Sequence, residues 1–108
     1  MPWLDYLAWF FGGAFLANAI PHLVAGISGR PFQSPFAKPP GVGLSSSVLN
    51  VAWALVNLAI AYVLLTRVGA FDLRDLGAMI PTGLGFALMA LALASRFGRF
   101  HGGNTPQG

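Results

Sequence analysis

Three long apolar stretches, separated by short polar segments, are the main pattern of this chain. Between Asp5 and Arg30 no charged side chain occurs over about 24 residues. A helix of that length crosses a hydrocarbon core of roughly 30 Å at about 1.5 Å per residue. The sequence therefore predicts a first transmembrane helix over about residues 3–27, with Trp3 and Trp9 at the headgroup level of the bilayer.

Two further stretches have the same character. One covers residues 48–66 and follows three serines, and the other covers residues 76–97 and follows Asp75. Serine hydroxyls and aspartate carboxylates accept hydrogen bonds from the free amides of a helix start, so helices are expected to begin at these places. Pro81 should kink the third helix, and neighbouring helices in a bundle can compensate for the lost backbone bond. We therefore predict an all-α membrane protein, a bundle of three transmembrane helices in one domain over residues 1–101.

The connections between the stretches differ in length and composition. Residues 30–47 form a long loop with two Pro-Phe pairs and a Pro-Pro pair, which exclude a helix or a central strand. We expect this Pro/Phe-rich loop to lie along the interface with its rings in lipid, or to fold back over the bundle. The second connection, 67–75, is short and charged, and the segment 102–108 is predicted to be a flexible tail.

The distribution of basic residues predicts the orientation. Segments near the cytoplasm carry an excess of Lys and Arg. The side that holds the first loop and the C-terminus has four basic residues, which are Arg30, Lys38, Arg96 and Arg99. The other side has two, Arg67 and Arg74. We therefore predict that the N-terminus lies outside and that the Pro/Phe-rich loop and the C-terminus are cytoplasmic.

Composition supports a membrane protein and excludes several kinds of chemistry. Hydrophobic residues make up 56% of the 108 residues and charged residues only 8%, which is unusual for a soluble domain. A net charge of +3 is explained by topology and lipid phosphates, so no nucleic-acid partner is expected. The chain has no cysteine, which excludes disulfides, thiolate nucleophiles and Cys-ligated metal centres.

Polar residues inside the apolar stretches are the candidates for a functional site. An unpartnered amide or imidazole is costly in hydrocarbon, so each should face protein, water or a ligand. Asn18 and His22 lie four residues apart on one face of the first helix, and Asn50 and Asn57 share one face of the second. Antiparallel packing puts His22 near Asn50 and Asn18 near Asn57. The sequence therefore predicts a polar intramembrane site formed by these four residues.

Two interpretations of this polar site stay open. Asparagines commonly hold transmembrane helices together through interhelical hydrogen bonds, worth roughly 0.6 to 2 kcal/mol each. His22, which follows Pro21, is also suited to a proton relay or to a ligand site. No cofactor is predicted, because His22 and His101 alone provide too few metal ligands, although axial ligation of a haem or chlorophyll by His22 stays open.

A second candidate site is cationic and lies at the start of the second helix. Free amides, hydroxyls and basic side chains at that place could hold a phosphate, from a lipid headgroup or a soluble anion. Helix capping and positive-inside topology explain the same residues without a ligand. The predicted members of this anion or headgroup site are Arg30, Lys38, Ser45, Ser46, Ser47, Arg96 and Arg99.

No catalytic arrangement is visible, so an enzyme is not expected. The carboxylates are predicted to lie on the side opposite His22, and no phosphate-loop or zinc-protease spacing occurs. We expect a non-catalytic accessory or interaction subunit of a homo-oligomer or a larger membrane complex. Alternatives are an oligomeric transporter or channel for a small solute, ion or proton, and an anionic-lipid-binding protein. The motivation for an oligomer is a set of small residues that permit close helix approach: Gly12, Gly13, Ala17, Gly77, Gly85 and Ala92.

Four strings carry a resemblance to other proteins: NAIPHLV at 18–24, GRPFQSPFA at 29–37, GLSSS at 43–47 and FGRFHGGN at 97–104. In these strings the chain resembles a group of small, uncharacterised bacterial integral membrane proteins, and the likeness covers most of its length. The resemblance implies a multi-pass protein of the bacterial inner membrane and implies no activity.

Overall fold

The computed structural model describes residues 2–106, and three long helices make up most of it. They are α1 (Pro2–Ile27), α2 (Ser47–Thr66) and α3 (Leu76–His101). All three are long and apolar enough to cross a membrane, which confirms the predicted helical bundle with three membrane-length helices. α3 extends four residues beyond its predicted end and terminates at Gly102, which adopts a left-handed φ of 82°.

The predicted start signals of α2 and α3 act as helix caps. The Ser46 hydroxyl accepts a hydrogen bond from the backbone N–H of Leu49 over 3.1 Å. The Asp75 carboxylate accepts one from the backbone N–H of Gly77 over 2.9 Å. Each cap satisfies an amide that has no partner within the first turn of its own helix, so both helices begin where the sequence predicts.

α1 is the central helix of the bundle. α2 and α3 each pack along α1 and scarcely contact each other. The α1–α3 contact is backbone against backbone: a Cβ atom at Gly13 would overlap the carbonyl of Thr82, and one at Gly85 would overlap the carbonyl of Phe10. Glycine is therefore required at both positions for α1 and α3 to approach this closely.

These internal contacts bear on the expected homo-oligomer. Most of the small residues that motivated it are buried within a single copy of the chain, and only Gly77 and Ala92 are exposed. The small residues therefore serve mainly the packing of one copy. The oligomer stays a prediction, with less support from this feature than the sequence suggested.

The loop between α1 and α2 folds back over one end of the bundle. Two short segments, β1 (Phe32–Gln33) and β2 (Leu44–Ser45), form an antiparallel pair in which Phe32 lies opposite Ser45. Gln33 and Ser34 are buried beneath this hairpin-like loop. Of the two predicted placements, the loop takes the one that covers the bundle. We call this end of the molecule the loop end.

The opposite end is held by Trp9, and we call it the Trp9 end. The indole N–H of Trp9 donates to the backbone carbonyl of Val68 over 2.9 Å, and its ring packs edge-on against Phe71 with centroids 5.8 Å apart. The second connection thereby packs against α1.

The C-terminal segment turns back along α3. The side-chain amide of Asn104 donates to the carbonyl of Ser95 over 2.8 Å, which satisfies a carbonyl in the last turns of the helix. The predicted flexible segment 102–108 therefore begins with a turn packed on α3, and its residues 107–108 lie outside the described residues.

Candidate functional site: a cavity beneath the loop

The four predicted intramembrane polar residues meet as two pairs between α1 and α2. Nδ1 of His22 lies 2.7 Å from Oδ1 of Asn50, and Nδ2 of Asn18 donates to Oδ1 of Asn57 over 2.9 Å. Asn50 and Asn57 are fully buried, and His22 is 3% exposed. The pairing predicted from antiparallel packing is confirmed.

The sequence of α2 explains why these amides reach α1. The buried face of α2 consists only of Asn50, Ala54, Asn57 and Ala61, spaced four, three and four residues apart. The two alanines allow the backbones of α1 and α2 to approach, so short asparagine side chains suffice to bridge them. Packing by interhelical hydrogen bonds fully accounts for Asn18 and Asn57.

Asn50 is held in a single orientation by the loop. Its Nδ2 lies 3.1 Å from the carbonyl oxygen of Phe32, 3.2 Å from that of Ser45 and 3.0 Å from that of Ser46. An amide oxygen at this position would face three acceptors, so the nitrogen must be the atom that faces the loop. Oδ1 of Asn50 is therefore the atom that faces His22.

The orientation of Asn50 determines the tautomer of His22. Because Oδ1 can only accept, Nδ1 of His22 carries the proton and donates it to Asn50. In the neutral imidazole the other nitrogen, Nε2, then has a lone pair and acts as an acceptor. Among residues 2–106 Nε2 has no hydrogen-bond partner, although the side chain is almost completely buried.

Trp53 provides a buried polar atom without a partner. Its Nε1 is inaccessible and makes no hydrogen bond within the described part of the chain. The rings of Trp53 and His22 are neighbours, with centroids 6.5 Å apart. A buried donor without a partner costs about 1–3 kcal/mol, so the Trp53 indole destabilises this part of the bundle by roughly that amount.

His22 and Trp53 both line a cavity of about 140 Å³ between the three helices and the loop, although the inaccessible Nε1 of Trp53 does not face it. At roughly 30 Å³ per water molecule, this volume corresponds to about five waters. Residues with polar side chains come from every element around it, and they are Asn18 and His22 on α1, Gln33 and Ser34 in the loop, Trp53 on α2 and Arg96 on α3. Most of the cavity surface is nevertheless apolar, and the cavity is partly open to the outside.

Arg96 is an exposed cation among the residues that line the cavity. It is the one charged side chain among the lining residues, and its Nη2 donates to the carbonyl oxygen of Gly41 over 2.9 Å. This bond ties the loop to α3 and uses one of the five N–H donors of the guanidinium. No carboxylate balances the charge nearby, because Asp5, Asp72 and Asp75 belong to the segments at the Trp9 end.

The two histidines are separated by an aromatic ring. Phe32 stacks on His101 with centroids 5.2 Å apart and lies edge-on to His22 at 5.6 Å, and Nε2 of His101 is 2.8 Å from Oε1 of Gln33. The residues described here contain no group of three His, Asp or Glu side chains that could hold a metal ion. A cavity of 140 Å³ is also smaller than a porphyrin ring needs, so haem or chlorophyll ligation by His22 would require the loop to move.

The predicted cationic site is assembled only in part. Ser46 caps α2, and the buried Ser45 hydroxyl shares a hydrogen bond with that of Ser34, so both serines have structural partners. Arg96 contacts the loop and lines the cavity. All four cations, Arg30, Lys38, Arg96 and Arg99, are exposed at the loop end.

Sequence reasoning missed three residues with polar side chains that line the cavity. Gln33 and Ser34 lie in a loop without periodicity, so only the fold brings them to His22. For Trp53 a signal existed, because it lies three residues after Asn50 and four before Asn57, on the same side of α2. An aromatic residue with a polar atom on a face of amides is a candidate for the same site.

Together the fold and the cavity define a class: a helical protein with three membrane-length helices and a small cavity beneath a loop. Comparisons with protein-family models, curated proteins and solved structures gave no match to this chain. A functional hypothesis therefore depends on the chemistry of the cavity, and the resemblance to small bacterial membrane proteins stays a prediction.

Proposed function

We propose that the protein is a membrane solute-binding protein of the transport class, which holds a small polar solute in the cavity beneath the loop. The observation that supports this is the imidazole of His22, which is buried, is held by Asn50 through Nδ1 and lines a cavity of about 140 Å³. Its Nε2 is an acceptor with no hydrogen-bond partner among the described residues. A solute that donates a hydrogen bond to Nε2 would use this atom.

Helix packing alone does not explain this arrangement. A histidine that served only to join α1 to α2 would need its Nδ1 bond to Asn50 and no neighbouring cavity. The cavity beside His22 leaves room for a solute that hydrogen-bonds to its Nε2.

The proposed location is the bacterial inner membrane, with the N-terminus outside and the loop end in the cytoplasm. The loop end carries Arg30, Lys38, Arg96 and Arg99 and no carboxylate, whereas all three aspartates lie toward the Trp9 end. This separation of charge favours the stated orientation, because translocation disfavours basic segments. The cavity would then open toward the cytoplasm when the loop moves.

Binding of small solutes to the protein in lipid discs tests the proposal. Isothermal titration with small carboxylic acids, amides and polyols should detect binding of at least one class. His22→Ala should weaken that binding about tenfold, which corresponds to one lost hydrogen bond. Trp3→Ala is the control, because Trp3 is 54% exposed at the other end of α1. Absence of binding by every class, or equal binding by all variants, contradicts the proposal.

A second candidate function is binding of anionic lipid headgroups at the loop end. It is favoured by the exposure of Arg30, Lys38 and Arg99 at an end without carboxylates. Native mass spectrometry should then retain phosphatidylglycerol in preference to phosphatidylcholine, and Arg30→Gln with Lys38→Gln should remove the preference. Equal retention of both lipids by the unaltered protein would contradict this role.

A third proposal is that the protein is an accessory or interaction subunit of a homo-oligomer or of a larger membrane complex. It is supported by the exposure of α3, since only 17% of an apolar 18-residue stretch of this helix is buried within one copy. A single monomeric species in mild detergent and in lipid discs, with no co-purifying membrane subunit, would count against it.

A further inference from the structure

We propose that Arg96 and Arg99 together hold the phosphate group of a membrane phospholipid at the loop end of α3. This inference goes beyond the solute cavity and beyond a preference for anionic lipids, because it concerns the phosphate that zwitterionic and anionic phospholipids share. It follows from the position of the two arginines along α3, from the aromatic ring beside them and from the charges around them.

The position of the two arginines matches the phosphate layer of a bilayer. Residues 76–95 contain no charged side chain, and these 20 residues cover about 30 Å at about 1.5 Å per residue. This length matches the hydrocarbon core, so Arg96 is the first residue of α3 beyond the lipid tails when the helix crosses the membrane. Arg96 and Arg99 are both exposed, so their guanidinium groups can reach the phosphates.

The two guanidinium groups lie beside one aromatic ring. The guanidinium carbon of Arg96 is 5.9 Å from the centre of the Phe100 ring, and that of Arg99 is 5.3 Å from it. The two arginines are three residues apart, so they are neighbours on the surface of α3. A cation–π contact restricts a guanidinium without using its N–H donors. Nη2 of Arg96 donates to the carbonyl oxygen of Gly41, and the other donors of the pair make no hydrogen bond within residues 2–106.

The charges around this pair favour an anion. The chain has three aspartates and no glutamate, and all three aspartates belong to the segments at the Trp9 end. Like charges three residues apart destabilise a helix. A phosphate between the two guanidiniums relieves this repulsion, and its oxygens match the paired N–H groups of arginine. A bilayer presents phosphates at this depth, so the expected occupant is a phospholipid.

Two lipids with equal acyl chains and no net charge test the site. Phosphatidylcholine has the phosphate, whereas digalactosyldiacylglycerol has a neutral sugar headgroup in its place. Native mass spectrometry of the full chain, released from discs with equal amounts of both, should show phosphatidylcholine retained about fivefold or more in excess. Equal retention of the two lipids would overturn the proposal.

Two double variants separate this pair from the overall charge of the loop end. Arg96→Gln with Arg99→Gln should remove the preference for phosphatidylcholine. Arg30→Gln with Lys38→Gln removes two charges from the same end and should leave that preference unchanged. An equal loss in both double variants would assign the preference to diffuse charge and overturn the site.

Two single variants guard against an effect of misfolding. Arg96 also binds the loop, so Arg99→Gln alone should reduce the preference while the midpoint of thermal unfolding stays unchanged. Phe100→Leu keeps both charges and should also reduce the preference, because the ring restricts both guanidiniums. A full preference in both single variants would overturn the assignment.

Inorganic phosphate distinguishes a lipid from a soluble ligand. In discs of digalactosyldiacylglycerol alone, isothermal titration with inorganic phosphate should detect no binding. Binding that is lost in Arg96→Gln with Arg99→Gln would replace the phospholipid by a soluble anion and overturn the proposal. Arg99 and Phe100 are not among the residues that line the cavity, so the Arg99 and Phe100 variants leave the test of solute binding unaffected.

Discussion

Asn50 connects α2 to both α1 and the loop, and its replacement by alanine tests the structural basis of the cavity. The change removes the bond to His22 at 2.7 Å and the amide group that faces three backbone carbonyls. An interhelical hydrogen bond is worth about 0.6 to 1.7 kcal/mol in membrane proteins. The amide donates at most two bonds at once, and each contributes about 1 kcal/mol.

The expected loss of stability for Asn50→Ala is therefore about 3 kcal/mol. Asn57→Ala is the matched comparison, because Asn57 is equally buried but contacts Asn18 and a carbonyl of its own helix and does not contact the loop. It should cost about 1 kcal/mol. Reversible unfolding in mixed micelles measures both values.

The two asparagine variants should also differ in the mobility of the loop. Asn50→Ala releases the anchor of Phe32 and Ser45, so hydrogen exchange of backbone amides over residues 32–45 should become faster. Asn57→Ala should leave the exchange in this segment unchanged. If the two variants lose equal stability and the loop exchanges at the same rate in both, the assigned role of Asn50 is wrong.

Three further changes follow from individual contacts. Gly85→Val should disrupt the α1–α3 contact and strongly lower the midpoint of thermal unfolding, because a Cβ atom at this position would overlap the Phe10 carbonyl. Gly83 faces open space, so Gly83→Val should change the midpoint little. Equal midpoints for the two variants would contradict the close packing of α1 and α3. Trp53→Phe should leave the stability of the solute-free protein unchanged or raise it by about 1 kcal/mol, because it removes an unpartnered N–H. Trp9→Phe should lower the stability by about 1 kcal/mol, because the Trp9 indole donates to Val68. Equal losses in unfolding measurements would show that the Trp53 N–H has a partner. Reporter fusions after residue 70 and at the C-terminus should report opposite sides of the membrane, with the C-terminus cytoplasmic, and a common side would refute the three-span topology.

The membrane-length helices and the two polar pairs could be predicted from the sequence for simple reasons. A helix in hydrocarbon satisfies its own backbone, so the length of an apolar stretch is enough to define it. The spacing of four residues between Asn18 and His22 puts them on one face, and the antiparallel direction of consecutive spans then matches each to its depth on α2. Both are local properties of the chain.

The sequence did not indicate which small residues face which helix. Glycines occur on α1 and α3 alike, and either set could have served contacts between copies. In the structure Gly13 and Gly85 each lie against the backbone of the opposite helix within one copy. α1 packs with both other helices at once, so its small residues are used inside the bundle. Composition indicates that close approach is possible and says nothing about the partner.

By itself, the sequence determined the number and approximate length of the membrane-length helices, their caps and the pairing of His22 with Asn50. These depend on apolar length and helical periodicity, which act over a few residues. Only the tertiary structure decided that the loop covers the bundle, that Asn50 fixes the proton of His22, and that Trp53 and Arg96 join the same cavity. Those contacts link residues far apart in sequence through single hydrogen bonds, such as Arg96 to Gly41, and such bonds leave no periodic pattern in the chain.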